Sequence, residues 1–358
     1  MKIVHISGFD VKPTIGAGRA SYFWKQAFLN RGFEFIQIGL NEAGKLPHML
    51  LFGHYAEKYL RKSNIKPDII IAHEPAAGFF MRRWNVPIVL FSHGIEERAW
   101  EVNKQYKHDP LSFKARSIPQ SLRFYSNNKG FKYADLIMLS NKTDLGYLIA
   151  KHHISEEKAF IFNNGYFNIE EHEKGFYTNG NKIKLLFNAS WLPRKGKDVL
   201  IAALLRLVQK GITNFQLILA GVGDKNNVLK DIPVELKAFV HIIERFDLKD
   251  EKFILKSSDI FVLPSYYEGQ SLALTQAMAA SKCCLVSDNC GQVDFIRDKV
   301  NGLLFKTGSA DSLTESLEYI FTNTHLINQL GDAAYQSVKH LTWDYVTGKI
   351  LQKIEALL

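Results

Sequence analysis

A carboxylate and a side-chain amide stand eight residues apart in the stretch FVLPSYYEGQSLALTQAMAA, residues 261–280. Glu268, the carboxylate, can only accept hydrogen bonds, whereas Gln276 can accept one and donate another. Ahead of them Phe261, Val262 and Leu263 read as a buried strand and Pro264-Ser265 as a tight turn. The pattern that follows predicts a helix starting near Gly269. Eight residues of α-helix advance about 12 Å along one stripe. That is close to the reach from the sugar to the ribose of a nucleotide-diphosphate sugar. The N-terminus of such a helix offers unpaired backbone N–H groups and a positive dipole end, which suit a diphosphate.

Further groups with chemical potential stand where predicted strands end. His73 follows a strand at 69–72, His93 follows one at 88–91 within Ser92-His93-Gly94, and Asn164 follows one at 159–162. A neutral imidazole at His93 could hydrogen-bond a hydroxyl or relay a proton. Gly16 lies in the loop GFDVKPTIGAGRA, between a first strand at 2–7 and a helix expected over 21–31. A glycine loop feeding a helix can approach a phosphate, but this one is not G-x-G-x-x-G and reads equally well as a tight turn. Gly221 and Gly223 follow a strand at 216–220, again readable as plain turn glycines. Arg194-Lys195-Gly196 stand between a strand at 185–188 and a helix over 198–210.

Strands that alternate with helices argue for parallel sheets, with ligands at the carboxyl ends of the strands. The polar stretch NIEEHEKGFYTNGN, residues 168–181, is the clearest linker, and a second α/β series begins at Ile183. It continues through strands at 240–243, 260–263 and 284–287 and helices at 311–321, 326–340 and 343–358. The fold class expected is therefore α/β, with two Rossmann-like domains.

A length of 358 residues fits that count of domains, at roughly 150 residues each. No apolar run reaches the ~18 residues of a membrane span. The chain opens directly on MKIVHIS, without the layout of a signal peptide. Cys283, Cys284 and Cys290 make a poor disulfide framework and lack zinc-ligand spacing, so they read as reduced thiols of a cytoplasmic protein. The net charge of +9 lies wholly in the first half: residues 1–165 carry 23 Lys+Arg against 14 Asp+Glu, and residues 166–358 carry 22 of each. Much of the excess falls at 98–132, where Arg98, Lys104, Lys107, Lys114, Arg116, Arg123, Lys129 and Lys132 are interleaved with Tyr106, Phe113, Phe124 and Tyr125. That mixture suits an anionic bilayer surface and a peripheral position on the inner membrane face. A solvated helix face stands equally open. Nucleic acid is disfavoured, because no recognition motif accompanies the charge.

The segment EGQSLALTQAMA resembles EGFGLVLLEAMA, the donor-binding segment of family 4 glycosyltransferases; Glu268 matches the first Glu and Gln276 replaces the second. The resemblance is strongest from residue 185 to 305. It implies the GT-B architecture, with an acceptor domain at 1–168, a nucleotide-sugar domain at 182–340, and a C-terminal helix at 341–358 crossing back to the first domain. It also implies retention of anomeric configuration, with front-face attack and the departing phosphate taking the acceptor proton. The family loop GRLxPxKG appears here as Ala189-Ser190-Trp191-Leu192-Pro193-Arg194-Lys195-Gly196. By that match Lys195 grips the diphosphate, Ser190 replaces the family Arg, and Arg194 stands beside them. A lone lysine is a point charge without the two-pronged grip of Arg. Glu268 would bind the donor sugar, Gln276 the ribose, and Gly221 and Gly223 would lie near the nucleotide. Gly269, Gln270, Ser271 and Leu272 would supply backbone N–H groups. Gly16 matches a phosphate-facing glycine, and His93 approaches the reacting centre.

No D-x-D occurs, so cations and helix N-termini would do the work of a metal, and no divalent cofactor is expected. The partners implied are a nucleotide-sugar donor and a sugar or lipid-linked acceptor, such as a surface-polysaccharide or lipopolysaccharide intermediate. Ser190 and Gln276 also motivate a rival: a non-catalytic GT-B protein that binds sugars or partners. A nucleotide-sugar epimerase of the same fold ranks last, since it would need a set of acids near the sugar.

Overall fold

The computed structural model describes residues 1–13, 16–106, 124–167, 176–178, 180 and 182–358. They form two compact units. The first holds Met1–Glu101, the described part of Asp109–Asn164, and Trp343–Leu358; the second holds the described parts of Val102–His108 and Gly165–Thr342. Lys107, Phe113, Lys114, Arg116 and Arg123 of the basic stretch, and most of the linker at 168–181, lie outside the described residues.

In the first unit β1 (Lys2–Ile6), β2 (Glu34–Ile38), β3 (Ile69–His73), β4 (Ile88–Phe91), β5 (Leu136–Leu139) and β6 (Ala159–Ile161) form one sheet. Its order is β2-β1-β3-β4-β5-β6 and every pairing is parallel. The central strands are continuous apolar runs because helices cover both faces of a parallel sheet; β3 and β4 are buried throughout. Register puts Val4 beside Ile36 and Ile70. Helix Gly16–Asn30 drives Trp24 and Phe28 into the core. Its Phe23 stacks on Trp343 of helix Trp343–Glu355, with ring centroids 4.4 Å apart.

In the second unit β7 (Ile183–Asn188), β8 (Phe215–Ala220), β9 (Val240–Ile243), β10 (Ile260–Leu263), β11 (Cys283–Ser287) and β12 (Leu303–Phe305) form a second parallel sheet. The order is β12-β11-β10-β7-β8-β9. Strand order reverses between β7 and β10 here, and between β1 and β3 in the first sheet. Such a reversal opens a crevice at the carboxyl ends of the two strands, where α/β folds bind ligands.

Two sequence-based boundaries are corrected. The helix expected near Gly269 begins at Leu272, with Ser271 as its cap. Glu268 therefore sits on the loop after β10, and the eight-residue helical stripe from Glu268 to Gln276 does not exist. The polar run Glu268–Ser271 has local partners that compete with a helix. In the first unit the helix begins at Gly16 rather than near Ser21. Gly16 is its first residue, and a Cβ there would meet nothing within 4 Å. The close approach lies at Gly18, where a Cβ would stand 1.9 Å from the Asp10 carbonyl oxygen.

Cys283, Cys284 and Cys290 are buried thiols outside any disulfide. Burial pushes the Cys283 thiol up to about 12, which leaves it an inert core residue. No helix among the described residues is long and apolar enough to cross a membrane.

Candidate functional site

At the reversal point of the second sheet, two loops meet. The loop after β7 runs through Ser190 to a 3₁₀ turn, Pro193–Lys195, and then Gly196 opens helix Lys197–Gln209. The loop after β10 carries Ser265, Tyr266 and Glu268 to the N-terminus of helix Leu272–Ala279. Gly196 has φ +75°, and a Cβ on it would lie 1.9 Å from the Pro264 carbonyl oxygen. Only glycine allows this approach. The Tyr266 N–H donates to the Arg194 carbonyl at 3.0 Å, and the Tyr266 hydroxyl donates to Asp198 at 2.7 Å.

This seam brings Lys195, Arg194 and Glu268 together. Lys195 Nζ is ion-paired with Glu268 Oε1, and Ser265 Oγ donates to the same oxygen at 2.7 Å. Glu268 is buried, at 8% exposure. Burial pushes its carboxyl up, but the charges of Lys195 and Arg194 and the hydrogen bonds from Lys195 and Ser265 outweigh that and hold it below the usual range. The carboxylate is thus ionised, with lone pairs to offer hydroxyl donors. Behind it, the Glu268 carbonyl accepts from Gly291 N–H at 3.2 Å. A Cβ on Gly291 would stand 1.7 Å from the Gly269 carbonyl oxygen. The turn Cys290–Gln292 therefore braces the loop from below.

The remaining residues expected at the donor site divide. Ser271 Oγ accepts from Leu274 N–H at 3.2 Å and caps the helix. Gln270 reaches the Thr275 hydroxyl at 3.3 Å. Gly221 and Gly223 follow β8 with φ of +69° and +85°, and their N–H groups bond to the Ile243 and Glu244 carbonyls. Ser190 is exposed. Gln276 is buried, and its amide is engaged both ways with the main chain of Phe167: Oε1 accepts from the N–H and Nε2 donates to the carbonyl, each at 3.3 Å. A glutamate there could accept from that N–H but not donate to that carbonyl. The pairing accounts for the amide at this position. The sequence held no sign of it, because the partners are 109 residues apart.

In the first unit the reversal point gathers three histidines, of which sequence reading singled out two. His5 lies on β1, His73 ends β3, and His93 follows β4. His5 Nδ1 stands 2.5 Å from Gln37 Oε1, an acceptor, so Nδ1 carries the proton. His5 Nε2 is then an acceptor, and His73 Nε2, 2.9 Å away, donates to it. Ser21 Oγ is 3.3 Å from the same nitrogen. That leaves His73 Nδ1 as a buried acceptor, and neither it nor His93 Nε2 has a hydrogen-bond partner among the described residues. The His73 and His93 rings are 5.0 Å apart. His5 gave no local signal, because only the strand order sets it beside His73. Among the described residues no group of three or more His, Cys, Asp or Glu side chains is placed to hold a metal ion.

Glu74 anchors the turn that carries His93. It is buried and accepts from Ser92 Oγ at 2.8 Å, from Asn127 Nδ2, and from Glu96 N–H at 3.2 Å. Burial, with the Glu96 charge, raises its carboxyl well above the usual range against the pull of those hydrogen bonds.

All three imidazoles are held neutral. Burial lowers His5 and His93 to about 4 and lowers His73 well below its ordinary value, with His5 and His93 adding repulsion. The unfolded chain protonates these groups first as pH falls. Their contribution is therefore complete above the ordinary value of 6.5 and is lost as pH falls towards 4. For His5 alone this is on the order of 3 kcal/mol. The denaturation midpoint of the first unit should drop over that window. His5→Gln should flatten the slope; an unchanged slope would refute the role of the cluster.

Residues 168–337 match the family described as Glycosyl transferases group 1. A curated relative, the N,N'-diacetylbacillosaminyl-diphospho-undecaprenol alpha-1,3-N-acetylgalactosaminyltransferase of Campylobacter jejuni, is 25% identical over 223 residues, 59% of this chain and 57% of its own. The chain spans less than two thirds of the length of the curated relatives it matches. Sucrose-phosphate synthase from Thermosynechococcus elongatus superposes with a TM-score of 0.81 at 16% identity, covering 99% of this chain and 98% of that one. Anabaena HepE, solved in complex with UDP and glucose, gives 0.72 at 15%, covering 99% and 100%. At these identities the likeness is one of fold, and the fold is GT-B.

Proposed function

We propose that this chain is a glycosyltransferase that moves a sugar, with retention and without a divalent metal, from a nucleotide-diphosphate sugar to a hydroxyl acceptor on a lipid-linked or surface-polysaccharide intermediate. The observation that carries the reading is the Lys195–Glu268–Ser265 cluster at the reversal point of the second sheet. It combines a cation, a fixed carboxylate and a helix N-terminus within the segment that matches the group 1 family.

Each part has a task. The bond from the anomeric carbon to the diphosphate breaks, and charge grows on the leaving oxygen. Lys195, Arg194 and the N–H groups from Gly269 to Leu272 stabilise it. Glu268 accepts from the sugar hydroxyls and orients the ring. The acceptor oxygen bonds to the same face of the anomeric carbon, and its proton passes to the departing phosphate. His93, neutral and with an Nε2 that has no partner among the described residues, hydrogen-bonds a hydroxyl in the first unit. Gly16 opens the N-terminus of a second helix there. A lipid-linked acceptor is supported by the Campylobacter relative, whose name specifies a diphospho-undecaprenol acceptor.

The rival reading, a sugar-binding protein without turnover, draws on exposed Ser190 and on Gln276, whose amide is taken by Phe167. Thermal melting against UDP-, GDP-, ADP- and CMP-sugars, with and without EDTA, tests both. A donor at 100 times its dissociation constant adds about 2.7 kcal/mol and raises the melting point measurably. The expected result is one base-selective shift that survives EDTA, with slow release of free sugar. A shift without any turnover would favour the rival; no shift with any donor would overturn the donor site.

A further inference from the structure

Strand register sets Gln37 of β2 beside His5 of β1, and His5 beside Ile71 of β3. His73 lies two residues beyond Ile71, so Gln37, His5 and His73 share one face of the first sheet. The main chain orients the Gln37 amide: its Nε2 donates to the Ser7 and Ile38 carbonyls, each at 3.4 Å. Oε1 is thereby turned to His5 Nδ1, which must carry the proton. A neutral His5 then has a bare Nε2, and His73 Nε2 must donate to it. A neutral His73 keeps its lone pair at Nδ1. The amide thus decides, through two imidazoles, which nitrogen of His73 accepts a hydrogen bond.

His73 is 3% exposed, and neither its Nδ1 nor His93 Nε2 has a hydrogen-bond partner among the described residues. A buried acceptor without a donor marks a place where water or a ligand completes the bonding. The Phe9 ring stands against both imidazoles, with centroids 6.4 Å from each. Its N–H is held by Ser7 Oγ at 3.1 Å, but its side chain is 49% exposed. Phe9 therefore reaches from the imidazoles to solvent, at the reversal of strand order where this fold class binds ligands. The imidazoles are uncharged, so a phosphate gains no ion pair from them. A metal ion would need a third ligand, and no such group stands among the described residues. A hydroxyl suits both nitrogens, because it can donate to one and accept from or donate to the other.

We propose that His73 Nδ1 and His93 Nε2 bind hydroxyls of the acceptor's sugar, that Phe9 stacks on the apolar face of that sugar, and that Gln37 and His5 are positioning residues which hold His73 in its accepting tautomer. A half-exposed phenyl ring changes rotamer within nanoseconds, so Phe9 swings off the two nitrogens as the sugar enters. The inference deepens the transferase reading and rests on it for its purpose, but it is measured with free sugars and no nucleotide.

The test is NMR of the full chain carrying heavy nitrogen in its histidine rings alone, at neutral pH. Two-bond proton–nitrogen spectra separate protonated from bare ring nitrogens, and His5→Gln and His73→Gln assign the signals. Wild type should show His73 protonated at Nε2 and bare at Nδ1. Of free glucose, galactose and N-acetylglucosamine, at least one should shift the Nδ1 signal in the direction of an accepted hydrogen bond. Gln37→Met keeps the size of the side chain and removes the acceptor; the tautomers of His5 and His73 should then mix, and affinity for that sugar should fall about tenfold. Phe9→Ala should weaken binding to a similar degree and Phe9→Trp should restore it, with melting points near wild type because the side chain is half-exposed. The proposal is overturned if wild-type His73 is protonated at Nδ1, or if Gln37→Met leaves both tautomers unchanged. It is equally overturned if no free sugar moves the Nδ1 signal, the place then being filled by water. A change seen only with a nucleotide sugar also overturns it, since the hydroxyl would then be the donor's. A free-sugar response without a melting shift from any nucleotide sugar would keep this subsite and remove the transferase reading.

Discussion

Glu268→Gln should lower the proposed sugar transfer by at least about a hundredfold, because on that reading the site loses a fixed negative charge where the sugar hydroxyls and Lys195 both need an acceptor. The side chain keeps its shape, so the fold persists. Lys195 loses its ionic partner, and stability should fall by about 1–3 kcal/mol. The pH dependence separates the ionic pair from mere packing. The Glu268 carboxyl is held below its usual range in the folded protein, so the contribution of the pair is complete above the ordinary carboxylate value and is lost as pH falls through the folded one. Wild type and variant should therefore differ at neutral pH and converge in acid. Transfer by the variant at the wild-type rate would sink the assignment of Glu268; a stability gap constant with pH would show that the pair carries no charge effect.

Gly196→Ala is expected to be the most damaging single methyl in the second unit. The residue adopts φ +75°, which costs an L-residue about 1–2 kcal/mol. The new Cβ would also stand 1.9 Å from the Pro264 carbonyl oxygen and 2.6 Å from its carbon. Backbone on both sides must move, which adds the cost of overpacking, about 1–3 kcal/mol. The seam between the loops after β7 and β10 opens, and Lys195 leaves Glu268. Gly223→Ala is the control: its φ is +85° but its Cβ would meet nothing within 4 Å. It should lose only the conformational part. Urea denaturation and donor-induced melting shifts together decide the matter. Equal losses for the two variants would mean that close packing at Pro264 plays no part.

Much of this architecture was legible locally. Runs such as IIIAH and IFVL read as strands buried on both faces, and their alternation with helical stretches argued for two doubly wound sheets. Lys195, Glu268 and His93 could be named because the short motifs that carry them resemble glycosyltransferase motifs, and each follows such a strand. The start of the helix after Glu268 could not be placed, since Gly-Gln-Ser fits a helix start and a loop alike. The structure chose the loop, with Gly291 pressed against Gly269 and Ser271 as the cap.

The set of elements and the chemistry available at their ends are written in the local order of residues. Hydrophobic periodicity and turn residues act over a few positions and are written locally. Tertiary structure alone decided which ends meet. Strand order set His5 against His73, the Gly196–Pro264 contact set Lys195 on Glu268, and the Phe167 main chain claimed the amide of Gln276. These pairings join residues 68, 73 and 109 positions apart. They depend on burial and main-chain proximity, which no local pattern carries.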